Sequence, residues 1–528
     1  MNYAALFRAT LPETVLEIAA LLVLVFDLGF LRRAAGKTRI VAAALVGVAG
    51  CATALWAVYA AGWYGVSAGS DVLLAAGGTA AVAQVAILVL TALTLLLLID
   101  TDFTRNPGEY VSVVLMAAAG GLIISAAQDL LVIFVGLELL SLGLYILTAF
   151  AKKSGKSAEA ALKYYLFGGM SAAFLLFGFS YLYGLSGSTY LPRVVYGVNN
   201  AAFSGGSPLL LIALVMIAAG LGFKVAAVPF QFWAPDTYEG APAPAAAFIA
   251  SVSKVASFAL LISIGYAALH YLQTLMQNSG VTSLGYPTAG VTAASGPLHN
   301  SVTVFYGWCL ILVVLSAASM VFGNLAALAQ TSVRRLLAYS AIAHAGYILL
   351  GLAFLSWPNR IPQAVLYYIL TYGLTTIGAF GVVSVVERAT GSDKLDSFLG
   401  LQKRNPLLAA VMLVLFLSLA GIPPLVGFWA KFNLFAAVLS GIGGNLRLGE
   451  AWLPLALVAV AIAFSAVSLY YYLQVLKRAY VLPAADNTPI KAHPVTLAVL
   501  LLIAAAVVVL GCFPALLQNW IAAFYTGV

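Results

Sequence analysis

The sequence predicts an all-α polytopic membrane protein of about fourteen transmembrane helices, and three observations predict it. Hydrophobic residues fill 63% of the 528 positions and charged residues only 8%, which is far from the composition of soluble domains. Apolar runs of about 20 residues, long enough to cross the hydrocarbon core of a bilayer, recur from one end of the chain to the other. The basic residues also collect in alternate connections between those runs.

Bounded by charges or Pro/Gly clusters, the runs span 11–31, 40–63, 78–100, 109–127, 129–151, 158–185, 207–229, 241–272, 302–324, 336–355, 361–386, 405–439, 452–476 and 494–524. The first reads as a retained span rather than a signal peptide: Glu13 and Glu17 precede its apolar stretch, Asp27 interrupts it, and no small-residue cleavage site follows. The two longest runs, 241–272 and 405–439, have length to spare for tilting or breaking. The longest connections, Ser186 to Gly206 and Gln273 to Ser301, are rich in Gly, Ser and Asn and read as loops. No soluble domain is expected.

With the N-terminus outside, 17 Lys and Arg residues fall in loops on the inner side (Arg32 to Lys491) and four on the outer side (Arg8, Arg193, Arg360, Arg447). That asymmetry supports the span assignment, because one miscounted run would scramble it. It predicts that both termini face the periplasm or its equivalent. The formal charge of +8 reflects this orientation bias rather than a nucleic-acid surface, since no single region gathers the basic residues.

Other chemistries find little support. Cys51, Cys309 and Cys512 have no pairing or CxxC spacing, which argues against disulfides, iron–sulfur ligation and structural zinc in this chain. His270, His299, His344 and His493 make no haem-like pair. SGKS at 154–157 lacks the first glycine of a phosphate loop, with Phe150 in its place, and GLGF at 220–223 lacks the third glycine of a dinucleotide fingerprint. No nucleotide or other cofactor is expected to bind.

The remaining four basic residues, Lys163, Lys224, Lys254 and Lys431, lie inside predicted spans. A buried ammonium costs roughly 2.5–3.5 kcal/mol on insertion scales, so each demands compensation and a reason. Lys224 has no charged neighbour between Arg193 and Asp236. Pro229 follows it, and Pro423 and Pro424 precede Lys431, so both spans 7 and 12 carry a proline break beside a lysine. Spans 7 and 12 are five apart, and a repeat of five spans must enter the membrane upside down. Spans 4–8 and 9–13 are therefore expected to form an inverted pair. The expected division is 1–108 for the N-terminal helices, 109–272 and 302–480 for the two repeats, and 494–528 for the last helix.

Glu138 sits mid-span in DLLVIFVGLELLSLGLYILTAF, where a carboxylate is costly unless a cation such as Lys224 stands near. Such a pair either glues two helices or tunes how Lys224 holds its proton. Lys254 is flanked by Ser251, Ser253 and Ser257, a face able to hold water; helix packing is the plainer reading. His344, in LLAYSAIAHAGYILLG, carries an imidazole whose ordinary titration range lies near neutrality, with a satisfied core histidine as the competitor. Lys431 follows LSLAGIPPLVGFWAKF, where Gly421 and the two prolines unwind the helix and free carbonyls. Lys163 lies a turn or two inside span 6, as a relay entrance or a snorkelling side chain. Glu138, Lys224, Lys254, His344 and Lys431 would make a polar row in the plane of the membrane.

Five segments together resemble the subunit N family of bacterial NADH:quinone oxidoreductase, respiratory complex I: GLELLSLGLYIL (136–147), EAALKYYLFGG (159–169), GFKVAAVPFQFWAPDTYEGAPAP (222–244), ALAQTSVRRLLAYSAIAHAGYIL (327–349) and AGIPPLVGFWAKF (420–432). The likeness covers spans 4 to 13. It implies fourteen helices with two inverted five-helix repeats and discontinuous helices 7 and 12, and proton translocation driven by quinone reduction elsewhere in the complex. It also implies a coupled pair at Glu138 and Lys224, a central relay at Lys254, a terminal lysine at Lys431 and an entrance lysine at Lys163. FMN, iron–sulfur clusters and quinone would belong to other subunits, and sister antiporter-like subunits would be neighbours. A wider branch of the same family, the multi-subunit cation/proton antiporters, works without a redox partner. Gln231 departs from the pattern, standing where many members carry histidine; an amide there would order water rather than transfer a proton.

Overall fold

The computed structural model describes residues 7, 9–63, 73–75, 77–203, 207–279, 297–355, 360–440, 452–484 and 488–526. Among them there is no strand, and three isolated bridges, Leu74 to Ala127, Asp129 to Tyr190 and Ser332 to Lys394, pin loops together. The chain is a bundle of helices. They are α1 (Leu11–Val25), α2 (Gly36–Trp63), α3 (Gly78–Leu98), α4 (Pro107–Ala126), α5 (Leu130–Thr148), α6 (Gly155–Ser186), α7 (Leu191–Phe203), α8 (Ser207–Val225) and α9 (Trp233–Gly240). There follow α10 (Ala243–Ser279), α11 (Pro297–Leu328), α12 (Val333–Ala353), α13 (Arg360–Thr390), α14 (Pro406–Ala420), α15 (Val426–Ser440), α16 (Trp452–Tyr480), α17 (Pro494–Cys512) and α18 (Pro514–Thr526).

Twelve of these are long and apolar enough to cross a membrane. The pair α14 and α15, and α1 with its π-helical continuation Phe26–Phe30, add one span each and bring the total to the expected fourteen. The helices start where short polar side chains can satisfy free backbone donors. Asp129 Oδ1 accepts from Leu131 N at 2.8 Å, and Asn405 Oδ1 from Leu408 N at 3.0 Å. The phosphate-loop look-alike resolves the same way: Ser154 caps α6 by accepting from Ser157 N at 3.3 Å.

Three sequence expectations change. The connection from Ser186 to Gly206 is not a plain loop but contains α7, an amphipathic helix. The connection from Gln273 to Ser301 is helical at both ends, since α10 runs to Ser279 and α11 starts at Pro297; its middle lies outside the described residues. Of the two longest runs, 405–439 breaks and 241–272 does not, whereas the last run splits at Phe513 into α17 and α18, with Pro514 starting the second piece.

Both proline breaks are real and alike in outline. α8 ends at Val225, Ala226 takes φ +58°, and Val228–Pro229 is cis. α14 ends at Ala420, Gly421 takes φ +86°, and Pro423–Pro424 is cis. Glycine suits the left-handed turn at 421, where its N–H closes the helix on Leu417 O at 3.1 Å. Gly427 lets α15 fold back close to α14: an added Cβ would lie 1.8 Å from Ser418 O.

Burial sorts the bundle into an inside and an outside. Windows of α12 and α10 are 94% and 89% buried within the protein, against 33% for α6 and 28% for α16. The helices carrying His344 and Lys254 are thus interior ones, away from lipid. Two polar ties hold the first helices to their neighbours. Asp27, buried in the π-helical turn, pairs with Arg39 through Nε at 2.7 Å and Nη2 at 2.6 Å and accepts from Gly108 N at 3.2 Å, which explains how a carboxylate persists in a span. Asp100, after α3, pairs with Arg388 at the end of α13 and accepts from His493 N at 3.1 Å; Arg388 also donates to Lys491 O at 3.1 Å.

Candidate functional site

Four cationic or imidazole side chains predicted from the sequence are buried, at 2–6% exposure: Lys224, Lys254, His344 and Lys431. Their compensation differs, and the differences describe the site.

Lys224 lies in the last turn of α8, one residue before that helix ends. Its ammonium donates to Ser141 Oγ on α5 and stands 6.0 Å from the Tyr145 ring and 5.7 Å from the Phe223 ring. Ser141 is one turn along from Glu138. Among the described residues no ion pair joins Lys224 to Glu138, whose carboxylate lies that one turn away on a half-buried face of α5. Tyr145, on the same helix, holds a buried hydroxyl without a partner.

Lys254 is in the first third of α10. It donates to Ala341 O on α12 at 2.5 Å and stands 5.9 Å from the Tyr372 ring on α13. Among the described residues no carboxylate lies within ion-pair distance of it. From there a series of ring neighbours leads on. The rings of Tyr372 and His344 are 4.8 Å apart, His344 Nδ1 shares a 2.8 Å hydrogen bond with Tyr368 OH, and the rings of His344 and Tyr347 are 5.8 Å apart. Lys431 Nζ then stands 5.5 Å from the Tyr347 ring.

Lys431 has the most complete set of partners. It donates to Leu419 O at 3.2 Å, Ala420 O at 2.9 Å and Ser465 Oγ at 2.9 Å. The two carbonyls are the free ends of α14, where the helix dipole presents negative charge. The break thus makes the lysine's binding site, as the sequence PP with Gly421 anticipates.

Lys163 does not join this row. It pairs with Glu159 at 2.8 Å and Asp236 at 2.8 Å, and Arg335 bridges Asp236 at 2.7 Å to Glu239 at 3.0 Å, with Lys156 also reaching Glu239 at 3.3 Å. This network borders a cavity of about 600 Å³ lined by charged groups, Lys156, Glu239, Arg335 and Arg388 among them. The cavity opens among the basic loops. Gln231 is 3% exposed and its Oε1 has no partner.

The structure therefore groups Lys254, His344 and Lys431, keeps Lys224 with Ser141 and near Glu138, and leaves Lys163 at the charged mouth. No contact among the described residues joins Lys224 to Lys254. Sequence reasoning missed Ser141, Ser465, Tyr347, Tyr368 and Tyr372. A serine three residues after Glu138 was a usable signal, but tyrosines on inner helices read like any other core aromatics.

The residues 127–290 and 288–447 each match a family described as NADH:quinone oxidoreductase/Mrp antiporter, TM. A protein of Acidobacterium capsulatum named NADH-quinone oxidoreductase subunit N 2 is 45% identical, covering 99% of this chain and 99% of its own length. NADH-quinone oxidoreductase subunit N 1 of Roseiflexus castenholzii is 40% identical over 81% of this chain and 76% of its own. Among solved structures, a chain in respiratory complex I from Thermus thermophilus with bound Aureothin superposes with a TM-score of 0.72 at 31% identity, covering 96% of this chain and 98% of that one. A chain of the Mrp complex from Dietzia sp. DQ12-45-1b shares the fold, with a TM-score of 0.74 at 20% identity over 98% and 96% of the two chains.

Proposed function

The chain belongs to the NADH:quinone oxidoreductase/Mrp antiporter membrane family, and from that premise we propose that it is the subunit N-type proton-translocating part of an NADH:quinone oxidoreductase. Protons move along its buried cations while quinone is reduced elsewhere in the complex. FMN, iron–sulfur clusters and quinone belong to other subunits, no redox centre lies in this chain, and sister antiporter-like subunits sit beside it. The complex lies in a bacterial inner membrane with both termini of this chain periplasmic.

One observation carries the reading: Lys254, Tyr372, His344, Tyr347 and Lys431 follow one another at 4.8–5.9 Å to ring centroids inside the bundle, where plain helix packing would select apolar residues. In the proposed sequence Lys163 and Asp236 gather protons at the charged mouth and Lys224 accepts one. Glu138 sets how firmly it is held, and Lys254, His344 and Lys431 pass it on. Ordered water bridges Lys224 to Lys254, because helix axes stand roughly 8–10 Å apart and side chains alone do not span that interval. The repeats at 109–272 and 302–480 each supply one broken helix to this path. The helices outside them, in 1–108 and 494–528, flank it.

The test is proton pumping per NADH oxidised in vesicles carrying the assembled complex, with Glu138→Ala, Lys224→Ala and Lys254→Ala. Each is expected to lower the ratio while the complex still assembles. Unchanged coupled turnover in all three would end the proposal. The fold shared with the Mrp complex chain supports a second reading, cation/proton antiport without a redox partner. Copurification with flavin and iron–sulfur subunits decides between the two.

A further inference from the structure

α13 runs from one side of the bundle to the other, and a cavity sits at each end. Glu387 and Arg388, near its C-terminal end, line the charged mouth. Tyr367, twenty residues earlier, lines a second cavity of about 510 Å³. At 1.5 Å per helical residue the two points are about 30 Å apart, the thickness of the hydrocarbon core. The cavities therefore open on opposite faces of the membrane.

Their linings differ in kind. Among the described residues the second cavity's lining carries no charge; its polar groups are Gln363, Tyr367, Asn433, Ser440, Gln518 and Asn519. From Ser440, at the end of α15, it reaches inward to Asn433, seven residues or about 10 Å deeper. There the Asn433 Nδ2 is buried and without a partner. A buried amide donor of this kind is destabilising unless water meets it.

The cavity also approaches the relay. His344, Tyr368, Thr371 and Ser418 surround a void of about 10 Å³, the space of about one water molecule. Thr371 Oγ1 donates to Tyr367 O at 2.8 Å, and Tyr367 is the wall of the larger cavity. One helical turn of α13 therefore separates the imidazole's void from the carboxamide-lined cavity.

We propose that this cavity is the outward water vestibule of the relay, with the Asn433 carboxamide at its throat and Gln518 and Asn519 of α18 as its outer wall. Carboxamides order water through donors and acceptors but do not titrate, so protons cross the vestibule on water without being held. The contribution of α18 lies outside the residues that match the family, 127–447. The proposal rests on the relay reading above, and its test separates the two.

In the assembled complex with Cys51, Cys309 and Cys512 replaced by alanine, Gln518→Cys and Asn433→Cys are exposed to a membrane-impermeant thiosulfonate in sealed vesicles of either orientation. Labelling is expected only from the face opposite the basic loops, while Ala338→Cys, on interior α12, stays unlabelled. Asn433→Leu is expected to lower protons pumped per NADH to the level of Lys431→Ala, and Asn433→Gln to recover most of the loss. Wild-type pumping in Asn433→Leu beside a defective Lys431→Ala overturns the vestibule and leaves the relay standing. Wild-type pumping in Lys431→Ala and Lys254→Ala overturns the relay itself. Labelling from the basic-loop face, or none at either cysteine, also overturns the vestibule.

Discussion

The two broken helices hold their lysines in opposite ways. Lys431 turns back onto the helix end that the break exposes and takes two backbone carbonyls and Ser465. Lys224 precedes its break and reaches away from its own helix to a single hydroxyl, Ser141, on α5. Backbone carbonyls at a helix end are fixed and permanent; a serine hydroxyl rotates and shares itself with Leu137 O. The second break thus does more than copy the first. It places a firmly seated cation at one end and a loosely seated one, within the influence of Glu138, at the other. A relay needs such an asymmetry, because a proton must be easier to deliver to one station than to dislodge from the next.

The strongest challenge to that contrast is Lys431→Met, which keeps the stem and removes the ammonium. It is expected to lower the pumping carried by this chain by roughly 10²-fold, within the range for losing a positioned proton carrier, as read from the pH gradient formed per NADH. A loss no greater than that of Lys163→Met, at the exposed mouth, would break the comparison. Next come the two serines. Ser141→Ala removes the one hydrogen bond Lys224 makes and is expected to slow coupled turnover roughly tenfold, since bonds to charged groups are worth about 1.5–3 kcal/mol. Ser465→Ala leaves Lys431 with two carbonyls and is expected to cost only about two- to fivefold, because with two partners kept the loss falls to about 0.5–1 kcal/mol. Equal effects would remove the distinction between firm and loose seating.

The smallest effects concern the turns themselves. Gly421→Ala puts a Cβ at φ +86° and within 3.1 Å of Lys431 Nζ, which is expected to destabilise the complex by about 1–2 kcal/mol. Ala226→Gly relieves the same left-handed conformation at φ +58° and is expected to stabilise by up to about 1 kcal/mol. Thermal inactivation of the solubilised complex measures both, and shifts of the same sign would contradict the geometry.

Much of this architecture is legible in the sequence because a bilayer leaves the chain few options. Charge-free runs must be helices, and the basic loops then fix the parity of the count. Lys224 and Lys431 stand out for the same reason: an ammonium surrounded by leucine and alanine needs an explanation. What sequence cannot convey is which neighbour provides compensation. Glu138 looks like the natural partner of Lys224, yet the nearer acceptor is a serine one turn away, because the ammonium's height in the bundle is set by where α8 stops. Lys163 reads equally as an entrance or a snorkelling side chain, and only the structure supplies its partners, Glu159 and Asp236. α7 was hidden by the Gly and Asn around it, and Tyr347, Tyr368 and Tyr372 by resembling ordinary core residues.

The tie of Asp100 to Arg388 and His493 has a practical consequence. It fastens the end of the third span to the eleventh and the fourteenth at a solvent-facing point. Raising salt to 1 M shortens the screening length to about 3 Å and weakens such exposed attractions far more than buried ones. A high-salt wash during purification will therefore loosen the fastening of the first three helices while leaving the interior cations as they were.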